Sequence, residues 1–270
     1  MTDLKKIKYF LLDMDGTIYL DHTLFEGTLD FLNLLKEQGK RAVYITNNSS
    51  KSVNTYVEKL ASLGIQAEAE DFYTSSQALV YHLNKQSPGC RLFLLGTPSL
   101  AKYLTDAGFT LVMDYTQEPD QRPDYVVLAY DTTLTYQKLA DACHYIAEGV
   151  TYWATHADMV CPHTKDFSMP DAGSFIACIR AATNGKTPSF IAGKPEPYMI
   201  QMFMEEQGCK GSEIAVVGDR LYTDIQSAVN AGVTSVCVLT GETQREDIAR
   251  SQIRPDYVLN SIQDLYYEIR

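Results

Sequence analysis

No stretch of the 270-residue sequence reaches about 18 uninterrupted apolar residues, so it offers no candidate for a membrane-crossing helix. The lysine-bearing N-terminus runs straight into an apolar strand pattern without the charged, apolar and small-residue succession of a signal peptide, and a cytoplasmic protein with no membrane partner is expected. Basic residues are also short. Lys and Arg number 23 against 34 Asp and Glu, a formal charge of -11, which argues against a nucleic-acid polymer as partner because such a surface needs a basic patch. If the ligand is a phosphate, local cations must act against a repulsive overall field. The six cysteines contain no Cys-x-x-Cys pair, and Cys161-Pro162-His163 lacks further ligands at zinc-site spacing, so reduced, mostly buried thiols are expected. Thr97-Pro98-Ser99, after Gly96, lacks the Gly-x-x-x-x-Gly-Lys spacing of a nucleotide loop and reads as a helix cap.

What is present begins with Tyr9-Phe10-Leu11-Leu12-Asp13-Met14-Asp15-Gly16-Thr17, a short apolar run that ends in two carboxylates and a turn-forming glycine. Residues two apart on an extended chain share a face, so Asp13 and Asp15 both point to the end of a buried strand, where open α/β sheets bind ligands. Two acids so placed repel unless a positive group joins them, either a hard cation such as Mg²⁺ or a lysine from elsewhere in the chain.

Apolar residues at helical spacing follow over Leu24 to Gln38 (Leu29, Leu32, Leu35), closed by Gly39. Arg41 to Ile45 then reads as a strand that delivers Thr46-Asn47-Asn48-Ser49-Ser50 to the start of a helix near Val53, a setting for anion binding by backbone N–H groups and side-chain donors. The polar segment Asn84 to Gly89 marks a domain boundary. From Arg91 a fresh alternation begins: strand Leu92–Leu95, helix Pro98–Ala107, strand Tyr125–Ala129, helix Tyr136–Glu148 and strand Thr151–Thr155. That suffices for a second, smaller parallel-sheet domain. A loop from Asp158 to Gly173, flanked by His156 and containing His163, leads to a helix from Ser174 to Thr183. Ser189 to Ala192 reads as a return to the core and ends in Gly193-Lys194-Pro195, where the lysine is placed as a point charge for phosphate. Glu213 to Val217 then delivers Gly218-Asp219 and, a helical turn later, Asp224.

This ordered set resembles the haloacid dehalogenase (HAD) superfamily, whose four motifs it matches as Asp13-Met14-Asp15-Gly16-Thr17, Thr46-Asn47-Asn48, Gly193-Lys194-Pro195 and Gly218-Asp219 to Asp224. The insertion between the second and third motifs is similar to that of the NagD-like and 4-nitrophenylphosphatase-like branch. The resemblance implies an α/β fold, a doubly wound parallel-sheet core (1–84 and 188–270) with an inserted, smaller α/β cap domain (85–187), and possible homodimerisation through the cap. It implies a Mg²⁺-dependent phosphomonoester hydrolase that acts through an aspartyl-phosphate on a small phosphorylated metabolite. Phosphomutase chemistry and a silent phosphate sensor are the alternatives within the fold. A signalling receiver module also uses an Asp, a Thr and a Lys at strand ends, but it is only one domain long.

By the same resemblance Asp13 is the nucleophile and Asp15 the general acid and base. Thr46, Asn47 and Lys194 hold the phosphoryl oxygens; Asp13, Asp15 (through its backbone carbonyl) and Asp219 hold Mg²⁺; Asp224 orients that shell. The branch commonly has Asn where His156 stands and Gly where Asp171 follows Pro170. His156, Asp171 and Ser174 are therefore expected to contact the leaving group and to set specificity from the loop that returns to the core.

Overall fold

The computed structural model describes residues 3–112, 122–164 and 167–270, with the backbone alone for 162–164. The first elements are β1 (Tyr9–Leu12), β2 (Tyr19–Leu20), β3 (Thr23–Leu24), α1 (Thr28–Glu37), β4 (Arg41–Thr46), α2 (Val53–Ser62) and β5 (Phe72–Thr74). Next come α3 (Ser75–Gln86), β6 (Arg91–Leu95), α4 (Pro98–Asp106), β7 (Thr110–Leu111), β8 (Tyr125–Leu128), α5 (Tyr136–Ala147), β9 (Thr151–Ala154), β10 (Val160–Thr164), β11 (Phe167–Pro170), α6 (Ala172–Ala182) and β12 (Phe190–Ile191). The last are α7 (Tyr198–Gln207), β13 (Ile214–Gly218), α8 (Gln226–Ala231), β14 (Thr234–Val238), α9 (Arg245–Arg250), β15 (Tyr257–Leu259) and α10 (Ile262–Ile269).

The chain forms two compact units, one of residues 1–46, 53–73 and 194–270, the other of 47–52 and 74–193. These junctions differ from the expected boundaries at 84/85 and 187/188. α3, most of which the expected core segment 1–84 would include, groups with the second unit, and so does the short loop after β4.

In the first unit six strands run in the order β15-β14-β13-β1-β4-β5. β1 pairs in parallel with β4 on one side and β13 on the other, with Leu12 opposite both Tyr44 and Val217. The chain winds from β1 outward through β4 and β5, then restarts at β13 and winds the other way, so the strand order reverses between β1 and β13. An open parallel sheet binds its ligands just beyond the carboxyl ends of the strands that flank such a reversal. The near-continuous apolar runs of β1 and β13 follow from burial on both faces. Phe10 meets Phe31 edge-on at 5.5 Å, a geometry that contributes about 0.5–1.5 kcal/mol beyond the area buried. On α1 the buried face is Thr28, Phe31 and Leu35, with Leu32 half-buried against the core, so of the expected Leu29-Leu32-Leu35 row only Leu29 departs. Leu29 is 42% exposed, because it lies about 100° around the helix from Thr28.

The second unit carries a five-stranded sheet in the order β12-β9-β8-β6-β7, with parallel pairing throughout. Its helices start where side-chain oxygens take up early backbone N–H groups: Thr97 accepts from Leu100 N, Thr135 from Lys138 N, and Thr74 and Gln77 form a reciprocal box. Two expectations are corrected here. The strand before Lys194 is not a core strand, since Phe190 and Ile191 pair with Trp153 and Ala154 of β9. The segment 158–173 is not simply a loop, since β10 and β11 form an antiparallel hairpin within it. The six cysteines are all free; Cys90 and Cys237 are buried, whereas Cys178 is exposed, so burial of most of them is also corrected.

Candidate active site

Asp13 and Asp219 directly follow β1 and β13, the two strands at the reversal, and the ladder itself aligns them: Asp13 N donates to Val217 O at 2.8 Å. Beyond Asp219 the chain makes a wide turn in which Asp224 N and Ile225 N both donate to Arg220 O. That turn brings the Asp224 carboxylate back beside Gly218, where a Cβ would collide with Asp224 Cβ and Cγ. Gly16 has a φ of +87°, and a Cβ there would lie 2.6 Å from Asp219 Oδ2. Gly16 is thus set by space and by backbone conformation, and Gly218 by space.

Lys194 reaches this group from the start of the last segment of the first unit. Its buried Nζ donates at 2.6 Å to Asp13 Oδ1 and at 2.6 Å to Asp224 Oδ1. Burial alone would lower the ammonium's pKa, but Asp13 and Asp224 outweigh it and hold the lysine charged, above its usual range. Desolvation acts the other way on the acids. Asp13 is pushed up to about 8 by burial, opposed by Lys194 and reinforced by Asp224 and Asp219. Asp219 is pushed up to about 6 by burial and by Asp224, opposed by a hydrogen bond from the backbone of Glu242.

The carboxylates of Asp13, Asp219 and Asp224 each offer an oxygen within 4.8 Å of the others. All the donors are hard oxygens, no histidine or cysteine is among them, and one ammonium leaves three carboxylates with excess negative charge. That donor set fits Mg²⁺ rather than a thiophilic or imidazole-preferring metal. It contains Asp13 and Asp219 of the expected ligands and adds Asp224; the expected Asp15 ligand is its backbone carbonyl, which is no part of a carboxylate set. Asp224, expected to act from behind the ligands, offers an oxygen on the same footing as Asp13 and Asp219. The Asp15 carboxylate is not in the group; it is 58% exposed, with Oδ2 at 3.5 Å from Lys59 Nζ.

Thr46 is buried at the carboxyl end of β4. Asn47 belongs to the second unit, and its Nδ2 donates to Asp158 Oδ1 at 3.0 Å. The residues expected to set specificity also lie in that unit, and the structure gives them internal partners. His156 is fully buried, with Nδ1 at 2.8 Å from Thr155 Oγ1 and Nε2 at 2.9 Å from Asp171 Oδ1. Asp171 is the N-cap of α6, accepting from Ala172 N. Ser174 Oγ donates to Met159 O. These contacts fasten the base of the β10–β11 hairpin; they do not present His156 or Asp171 to a ligand directly. The side chain of His163 lies outside the described residues.

Several residues of the site have no role in the sequence-based expectations, two of them (Thr17 and Arg220) although they stand inside the motifs. Thr17 Oγ1 donates to Asp219 Oδ1 at 3.4 Å, and Glu242 N donates to Asp219 Oδ2 at 2.7 Å. Thr240 Oγ1 donates to Gly16 O at 2.6 Å, so the 240–243 loop after β14 braces both acidic turns. Arg220 pairs with Glu242 at 3.0 Å, and although burial alone would lower its pKa, Asp13 and Asp219 help to keep it raised. The only sequence clue to that loop was its place after the strand beside β13.

Comparison with known proteins agrees with this geometry. Residues 10–110 match the family described as haloacid dehalogenase-like hydrolase, and residues 191–265 match the family described as HAD-hydrolase-like. An acid sugar phosphatase of Staphylococcus aureus is 34% identical over 98% of this chain and 99% of its own length. The crystal structure of a 4-nitrophenylphosphatase from Thermotoga maritima is 44% identical and superposes with a TM-score of 0.92, covering all of both chains. A glycerol phosphate phosphatase of Mycobacterium tuberculosis, solved in complex with magnesium, is 31% identical, with a TM-score of 0.88 over 98% of this chain and 78% of its own. The Asp13 turn, the lysine, the paired acids and full-length similarity agree, and the chain belongs to the haloacid dehalogenase-like hydrolases, in the branch of phosphatases typified by NagD and 4-nitrophenylphosphatase.

Proposed function

We propose that the protein is a Mg²⁺-dependent phosphomonoester hydrolase that works through a phosphorylated Asp13, with a small sugar or polyol phosphate as the substrate class. The observation that carries the reading is the packing of Asp13, Asp219 and Asp224 around one buried ammonium, beyond the strands at the sheet reversal. Relatives named for sugar phosphate, glycerol phosphate and 4-nitrophenyl phosphate support the substrate class.

Asp13 attacks phosphorus through a carboxylate oxygen, and the bond from phosphorus to the leaving oxygen breaks. The electron pair of that bond stays on the leaving oxygen, which takes a proton from Asp15. Asp15 then removes a proton from water as the water oxygen attacks the aspartyl-phosphate, which releases inorganic phosphate and restores Asp13. Asp13, Asp219 and Asp224, with the backbone carbonyl of Asp15, would hold Mg²⁺, which when bound offsets the repulsion between nucleophile and phosphate. Lys194 and Thr46, with Asn47 next in the chain, take the phosphoryl oxygens as charge shifts among them. Lys194 also orients the Asp13 carboxylate through the 2.6 Å hydrogen bond.

The test is a panel of phosphomonoesters with released phosphate as readout, run with chelator and again with Mg²⁺ restored. Inorganic phosphate should appear only with metal. Isomerised phosphate ester without free phosphate would make the protein a mutase, and full turnover in chelator would overturn the metal assignment.

A further inference from the structure

The geometry points to Lys59 of α2 as a positioning residue for the general acid Asp15, a role that rests on the reading of Asp15 just given. Lys59 Nζ lies 3.5 Å from Asp15 Oδ2 and 3.9 Å from the centroid of the Tyr19 ring, over its face. An ordinary exposed ion pair contributes little, because two long side chains must be immobilised to form it. This one differs because its cation is already held. Tyr19 is buried, and its place beside Asp15 is fixed by the turn: Gly16 N donates to Tyr19 O, and Met14 O accepts from Thr17 N and Ile18 N. The ring therefore provides a rigid seat for the ammonium, and the lysine side chain is only 24% exposed.

The seat also matches the chemistry in time. When Asp15 gives its proton to the leaving oxygen, it becomes a carboxylate at the moment the leaving group departs. Lys59 puts a positive charge where that negative charge arises, without having to move. In the second half-reaction the same charge keeps the Asp15 carboxylate in place to take the proton from water. Lys194 has no such function, since its Nζ is shared between Asp13 and Asp224.

The contribution should depend on the leaving group. An alkoxide must be protonated as it leaves, whereas 4-nitrophenolate is stable as an anion. Lys59→Met, Lys59→Arg and Asp15→Asn are compared with the unaltered protein for kcat and KM on glycerol phosphate and on 4-nitrophenyl phosphate, with Mg²⁺. Lys59→Met is expected to lose about tenfold or more in kcat on glycerol phosphate and less than about threefold on 4-nitrophenyl phosphate, within the range that general acid catalysis supplies. Lys59→Arg, which also keeps a cation over the ring, should restore most of the loss. Inhibition by inorganic phosphate should be unchanged, which separates positioning of the acid from phosphate binding. Asp15→Asn should show the same contrast, larger. If Asp15→Asn shows it and Lys59→Met slows both substrates equally or neither, the role of Lys59 is overturned while the reading of Asp15 stands. If Asp15→Asn shows no contrast, the reading of Asp15 falls and the inference with it. Should Lys59→Met fail to fold, Lys59→Gln reads the same contrast.

Discussion

Two polar clusters, one in each unit, both set a basic side chain against aspartate and are balanced in different ways. In the first, Lys194 faces Asp13 and Asp224 with Asp219 beside them, and burial drives Asp13 and Asp219 upward in pKa. In the second, His156 sits between Thr155 and Asp171, Asp171 caps a helix, and Thr155 Oγ1 donates on to Ser49 Oγ. The first has more carboxylates than protein cations; in the second the histidine and the aspartate each have side-chain or backbone partners within the unit. An incomplete cluster at a sheet reversal is equipped to bind and react, while a completed one holds a segment in place.

The harshest break of this contrast is Asp13→Asn. An amide is a far poorer nucleophile and removes an anionic ligand, so kcat should fall by at least about a thousandfold while the melting temperature stays or rises. A folded, pure variant with substantial turnover would remove Asp13 from its role. Lys194→Ala comes next. It should depress kcat/KM by about a hundredfold on every substrate alike, as loss of a donor to developing charge does. It should also destabilise the metal-free protein, because two buried carboxylates lose their partner. Retained activity on any one phosphomonoester would contradict a general role in phosphate handling.

The imbalance has a pH signature in the metal-free protein. Folded-state pKa values of about 8 for Asp13 and about 6 for Asp219 lie above the ordinary carboxylate value, so unfolding releases protons from both groups. The associated stability is fully present below about pH 4 and is lost as pH rises through about 6 and then about 8. Melting curves in chelator should therefore decline across that window relative to curves in Mg²⁺, whose binding displaces those protons. Identical pH dependence with and without metal would show that these acids do not hold the ion.

The smallest effects belong to the completed cluster. His156→Asn and Asp171→Gly should leave phosphate inhibition unchanged and lower the melting temperature, since each leaves a buried polar partner, typically about 1–3 kcal/mol. By loosening the hairpin base they should reorder kcat/KM among phosphomonoesters by less than about tenfold, since contacts to a leaving group discriminate only modestly. An unchanged ranking would confine both residues to holding the fold.

How much of this was visible in the sequence depended on whether the cause was local. Asp13 and Asp219 could be read because each ends a four- or five-residue apolar strand, and burial on both faces of a parallel sheet imposes that pattern. The sheet that claims Phe190 and Ile191 could not, because two residues carry no mark of their partner. Pro162 and Pro170 read as loop punctuation, yet proline is tolerated at the ends and edges of a short hairpin. The outward turn of Asp15 was hidden too. Alternation gives a side chain's face only while the strand lasts, and β1 ends at Leu12. The bracing by Thr240 and Glu242 joins positions more than 20 residues from Asp219 or more than 200 from Gly16, and no periodicity reports such a pairing.

The space denied at Gly16 and Gly218 bears on how a saturation mutagenesis map of this protein should be read. Every substitution at these two positions pushes a β-carbon against Asp219 or Asp224, so both will score as intolerant as Asp13, though neither has a group that reacts. Activity scores alone will enlarge the apparent chemical site by two residues that contribute only room. Scoring abundance together with activity separates them: Asp13 variants should accumulate as inert protein, whereas Gly16 and Gly218 variants should be depleted at the level of the folded chain.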